Sequence, residues 1–174
     1  QPVRGGDAGT TEGGYRSVIG GKPAKLCAAS AHSAAALAQA TDAQREALRT
    51  FGDHRGVAFQ LVDDLLDYEG DAEALGKNVG DDLAEGKPTL PLIYTMREGT
   101  AEQAAMVRKA IQKGGIEDLE SIRAAVESSG ALDYTANLAR DYVKRAIACL
   151  DVLPPSEYRD ALVELSEFAV ARTH

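Results

Sequence analysis

The chain has 174 residues, 44% of them hydrophobic, and its 27 acidic against 19 basic side chains give a formal net charge of −8. That length suits one domain with a core of its own, while no apolar run nears the roughly 18 residues of a membrane-spanning helix and the acidic balance lacks a nucleic-acid footprint. Two cysteines, Cys27 and Cys149, and three scattered histidines show no metal-ligand spacing, so buried free thiols in a reducing cytoplasm are expected and no histidine is assigned chemistry.

Residues 1–14 open on Gln1-Pro2, with no initiator Met and no signal-peptide pattern. The Gly-rich, polar stretch from Arg4 to Gly14 reads as a mobile loop, and the chain as a piece of something longer. Thr10 or Thr11 can cap a short helix over 12–19, which Gly20-Gly21 breaks. Pro23 suits the first turn of the next helix, over the alanine-rich 24–39. Lys22 stands at that helix start, beside unsatisfied N–H groups and the positive end of the dipole, a plausible anion site. Thr41-Asp42 caps a long helix over 43–68, in which Gly52 and Gly56 permit close helix–helix approach, and Gly70 ends it.

Residues 71–86 form a polar connection with short helical turns. Its two glycine-lysine pairs, Gly76-Lys77 and Gly86-Lys87, bracket the acidic pair Asp81-Asp82. Lysines on such a loop can close over bound phosphate as point charges. Pro88-Thr89-Leu90-Pro91 starts an apolar helix to about Met96. Residues 101–113, 117–129, 131–151 and 155–172 read as amphipathic helices, punctuated by Gly114-Gly115, Gly130 and Pro154-Pro155. These last four look like packing elements with no polar constellation. No alternating strand pattern of useful length occurs, so the fold is expected to be all-α.

The long helix carries the most informative stretch, Phe59-Gln60-Leu61-Val62-Asp63-Asp64-Leu65-Leu66-Asp67-Tyr68. At about 100° per residue, Gln60, Asp63, Asp64 and Asp67 share one sector, with Phe59, Val62, Leu65 and Leu66 on the other side. Acidic runs are most often solvated faces. Here the flanking Val57-Ala58-Phe59 and Leu65-Leu66 suggest a helix buried on most sides, with the acids lining a cavity. Aspartate is a poor mid-helix residue and like charges at this spacing repel. A hard divalent cation would offset that cost, and magnesium takes carboxylate oxygens while keeping waters and substrate phosphates as its other ligands.

These residues together resemble the trans-isoprenyl (polyprenyl) diphosphate synthases. Tyr15-x-x-x-Ile19-x-Gly21-Lys22-x-Ala24-x-Leu26 is similar to the family's lysine-threonine segment. Phe59-Gln60-x-x-Asp63-Asp64-x-x-Asp67 is similar to its second aspartate-rich motif. Leu75-Gly76-Lys77-x-x-Gly80-x-Asp82-x-x-Glu85-Gly86-Lys87-x-Thr89-Leu90-Pro91 is similar to the segment that follows it. The C-terminal helices resemble the bacterial long-chain, octaprenyl-type branch, which makes side chains for respiratory quinones. Pro23 replaces the usual Thr after the lysine, removing a hydroxyl and a backbone donor. The resemblance covers the C-terminal half of the family's single all-α domain, an isoprenoid-synthase-type helical bundle, and the first aspartate-rich motif and the isopentenyl-diphosphate-binding basic residues have no counterpart.

The resemblance implies magnesium-dependent, head-to-tail condensation of isopentenyl diphosphate with an allylic prenyl diphosphate. Asp63 and Asp64 would hold magnesium directly, and Asp67 directly or through water. Gln60 would orient them, and Lys22, Lys77 and Lys87 would contact the diphosphate. It also implies a soluble homodimer as the intact enzyme, a membrane-seeking product and no nucleic-acid partner. Two readings stay open beside it: a non-catalytic subunit of the same fold, or another magnesium-dependent helical terpenoid enzyme. The 174 residues alone are expected to be inactive, to expose the apolar side of the 57–68 helix and to have arisen by proteolysis within the 4–14 loop.

Overall fold

The computed structural model describes residues 7–21, 23–69, 80–114 and 117–171. Among them every regular element is helical: α1 (Glu12–Ile19), α2 (Pro23–Leu37), α3 (Asp42–Glu69), α4 (Asp81–Ala84), α5 (Leu90–Glu98), α6 (Ala101–Lys113), α7 (Leu119–Ser128), α8 (Ala131–Cys149), a 3₁₀ turn (Leu150–Val152) and α9 (Glu157–Ala171). The all-α expectation holds, and most helices start and stop within two residues of where the sequence puts them. Residues 131–151 prove to be α8 followed by the tighter 3₁₀ turn. Gly13 and Gly14, grouped by composition with the opening loop, lie inside α1, whose first turn begins where the Gly14 amide donates to Thr11 Oγ1.

The chain divides into two compact units that interleave in sequence, one made of residues 1–18 and 63–136, the other of 19–62 and 137–174. The first unit has a core of Tyr68, Leu83, Leu92, Val107, Ile111, Ile122 and Val126. Thr100 and Gln103 form a reciprocal capping box at the start of α6. Pro91 stands in the first turn of α5, where its missing N–H leaves no bond unmade. Gly80 has φ of +89°, a backbone conformation that favours glycine.

In the second unit, α2 and α3 approach closely because two glycines open the way. A Cβ on Gly52 would lie 2.4 Å from the Cys27 carbonyl oxygen, and one on Gly56 would lie 2.5 Å from Ala24 Cα. The expected role of both glycines is thus observed, against a backbone of small residues in α2. Thr41 and Gln44 cap α3 reciprocally. The alanine-rich helix ends at Leu37, short of the expected Gln39, in a Schellman turn: Ala40 N–H donates to Ala35 O, Gln39 N–H to Ala36 O, and Gln39 has φ of +54°. Phe51, Ala146 and Leu150 form a core there with Leu162 and Val163 packed against them. Cys27 and Cys149 are free, as expected, but half-buried rather than buried. The Cys149 thiol stays at the margin by donating to the Arg145 carbonyl of the preceding turn.

Candidate metal and phosphate site

The aspartates arise from the way α3 buries its C-terminal half. Val57, Ala58, Leu61, Val62, Asp64, Leu65 and Tyr68 are buried, a stripe centred on Leu61 and Leu65. At about 100° per residue, Asp64 falls on the border of that stripe, Gln60 and Asp67 lie outside it, and Asp63 lies nearly opposite Leu61. The shared acidic sector therefore runs from the edge of the core to the side away from it. Two expectations need correction. Phe59 is 52% exposed, because its position falls opposite Leu61. The rest of the apolar side, Leu66 excepted, is covered within the chain, so exposure of the whole 57–68 stripe does not occur.

Each aspartate has a different environment. Asp64, only 2% exposed, accepts a hydrogen bond at Oδ2 from the hydroxyl of Tyr15 on α1. Burial, together with the Asp64 charge, drives the Tyr15 phenol well above the usual tyrosine range. Asp67 is half-buried and faces the start of α4. Its Oδ2 accepts the Asp82 amide at 3.3 Å, and its backbone carbonyl accepts the Gly80 amide at 3.1 Å. Burial, then the neighbouring Asp82 and Asp81 charges, raise the Asp67 carboxyl to about 6. Asp63 is half-buried, as is Gln60 one turn before Asp64 on the same helix.

Lys87 does not reach the α3 carboxylates. It pairs with Asp82 at 3.0 Å and Glu85 at 2.7 Å, and those hydrogen bonds raise its own proton affinity. Asp82 thus links the two halves of the predicted constellation, its amide on Asp67 and its carboxylate on Lys87. Lys22 and Lys77 lie outside the described residues.

Sequence reasoning missed two features. Tyr15 entered only as part of a family segment, and its pairing with Asp64 spans 49 residues, beyond any local periodicity. The second is a polar cluster that anchors α1 and draws on one of the helices read as mere packing. Glu12 accepts from Arg97 at 2.7 Å, from Tyr134 of α8 at 2.8 Å and from Arg16 at 2.6 Å. Burial opposes its charge, yet these three bonds hold the carboxyl below its ordinary value. Tyr94 stacks on Tyr134 with ring centroids 4.4 Å apart, and the Arg97 guanidinium lies over both rings.

Among the described residues, no three or more His, Cys, Asp or Glu side chains converge as a closed metal centre. The donor set fits a cation that takes one or two carboxylates and completes its shell with water and phosphate oxygens, as magnesium does. The Asp67 carboxyl is raised by its burial first and by the Asp82 and Asp81 charges beside it second.

An all-α fold that carries this acidic motif on its longest helix, with the Gly80–Lys87 loop tied to it, is of the isoprenoid-synthase class. Residues 4–128 match the family model for polyprenyl synthetase, and the chain belongs to that family. It is 46% identical over 169 residues to octaprenyl diphosphate synthase of Haemophilus influenzae, covering 97% of this chain and 51% of that one. It is 47% identical over 167 residues to octaprenyl diphosphate synthase of Escherichia coli, covering 95% and 52%. A crystal structure of polyprenyl synthase from Caulobacter crescentus, complexed with calcium and isoprenyl diphosphate, superposes with a TM-score of 0.91 at 41% identity, covering 99% of this chain and 53% of that one. The chain therefore spans about half the length of the relatives it matches.

Proposed function

We propose that this chain supplies one wall of a long-chain trans-polyprenyl diphosphate synthase, which condenses isopentenyl diphosphate with an allylic prenyl diphosphate. The observation that carries the reading is the placement of Asp63, Asp64 and Asp67 in one sector that begins at the rim of a buried helix stripe, with the Asp82–Lys87 pair tied to Asp67. Octaprenyl diphosphate synthases are 46% and 47% identical to it, which supports a long-chain product. Asp63 and Asp64 would hold magnesium, Asp67 would join directly or through water, and Gln60 would orient the set. When bound, the metal supplies positive charge to a departing pyrophosphate. Lys87 would exchange its carboxylate partners for diphosphate oxygens, with Lys22 and Lys77 as further phosphate contacts.

The reaction needs both substrates held together, an effect worth roughly 7–11 kcal/mol of barrier. One wall does not provide that, so the 174 residues alone are inactive and the intact enzyme, a cytoplasmic homodimer, does the chemistry. No helix among the described residues is long and apolar enough to cross a membrane. The test supplies full-length protein with labelled isopentenyl diphosphate, farnesyl diphosphate and magnesium. Elongated prenyl products, lost on chelation, are expected. No product from the full-length protein, or product from the 174 residues alone, would overturn the reading.

A further inference from the structure

We infer that Tyr15 is a positioning residue, whose hydroxyl fixes the orientation in which the Asp64 carboxylate meets a divalent cation. This rests on the proposed function of the site. Tyr15 is 5% exposed and Asp64 2%, so the bond between them is shielded from water. An ionised carboxylate at such depth requires hydrogen bonds. It can only accept, so the phenol is the donor. The bond holds Oδ2 and so fixes the rotation of the carboxylate about its own axis.

Tyr15 is itself held. It lies three residues after Glu12 on α1, and Glu12 is tied to Arg97 and to Tyr134, which stacks on Tyr94. A hydrogen bond carried by a helix with such an anchor has a defined direction, which a loop would not give. Outer partners of this kind orient a ligating carboxylate, and their loss typically lowers metal affinity or activity about 10–100-fold.

The test is Tyr15→Phe in the full-length protein, which removes one oxygen. Thermal protection by inorganic pyrophosphate is followed as magnesium is titrated. The magnesium midpoint should rise about tenfold or more and kcat should fall more than KM rises, alongside a lower metal-free unfolding temperature, because the buried carboxylate loses its donor. An unchanged midpoint would overturn the inference, as would a lowered metal-free unfolding temperature with the midpoint intact, which marks a structural role. Should Tyr15→Phe fail to fold, 3-fluorotyrosine at position 15 keeps the hydroxyl. Its fluorine resonance should move on adding magnesium and pyrophosphate, and a resonance that stays put overturns the inference. Asp63→Ala separates the two ideas. If it abolishes magnesium-dependent protection while Tyr15→Phe keeps it intact, the site stands and Tyr15 does not position it. If the wild-type protein shows neither protection nor prenyl transfer, the proposed function fails and this inference with it.

Discussion

The two halves of α3 break the same rule in different ways. Both carry residues that an isolated helix disfavours, glycine at 52 and 56 in the first half and aspartate at 63, 64 and 67 in the second. In the first half the compensation is close packing, since Gly52 and Gly56 let the backbone of α2 come nearer than any side chain would allow. In the second half it is partly a set of donors, the Tyr15 hydroxyl and the Asp82 amide, and these leave Asp67 with a raised proton affinity. A glycine's cost is offset wholly by a neighbouring helix. The acidic half gathers carboxylates at one helix end, where the proposed cation would bind, which separates a packing exception from a chemical one.

The sharpest way to break this contrast is to remove acids from one half and glycines from the other. Asp63→Ala or Asp64→Ala in the full-length protein should lower turnover by about 10²-fold or more, with helical content retained by circular dichroism. Near-normal turnover in both would dissolve the distinction. Gly52→Ala and Gly56→Ala should do the opposite, destabilising by about 1–3 kcal/mol through overpacking. Urea unfolding reads that loss, and activity per folded molecule should stay near wild type.

A smaller effect concerns pH. The folded Asp67 carboxyl titrates near 6, above its ordinary 3.8, through burial and the Asp82 and Asp81 charges. Between these values the folded state keeps a proton that the unfolded state has released, so stability falls as pH rises through the window. Asp67→Asn should therefore be more stable than wild type above about pH 6 and lose that advantage near pH 4. Magnesium added at neutral pH should stabilise the wild type more than the variant. Equal pH profiles for the two proteins would show that Asp67 carries no such burden. The smallest change belongs to the first half's flank. Gln39 holds a left-handed conformation in the turn before α3, which costs a residue with a Cβ roughly 1 kcal/mol. Gln39→Gly should raise the unfolding midpoint by about 0.5 kcal/mol equivalent, and a lowered midpoint would contradict it.

The same contrast explains what the sequence made legible. Helix starts and the glycine contacts follow from local chemistry: Thr41 with Gln44, Thr100 with Gln103, Pro91 in a first turn, small residues four apart. The acidic motif was legible because its spacing is helical. Its partners were not, because Tyr15 meets Asp64 across 49 residues and Asp82 meets Asp67 across 15. The outward turn of Phe59 is not legible from the apolar sector alone, because burial is centred on Leu61 and leaves Phe59 opposite. Lys87 reads as a phosphate contact from its loop, whereas the structure pairs it with Asp82 and Glu85, which its own short loop brings close.

The most direct test of the acidic half is to crystallise the full-length protein with manganese and pyrophosphate and locate the metal by its anomalous signal. The account predicts an anomalous peak within coordination distance, about 2.0–2.2 Å for hard cations of this size, of Asp63 or Asp64 carboxylate oxygens, with pyrophosphate oxygens completing the shell. Bound pyrophosphate with no metal on either aspartate would contradict it.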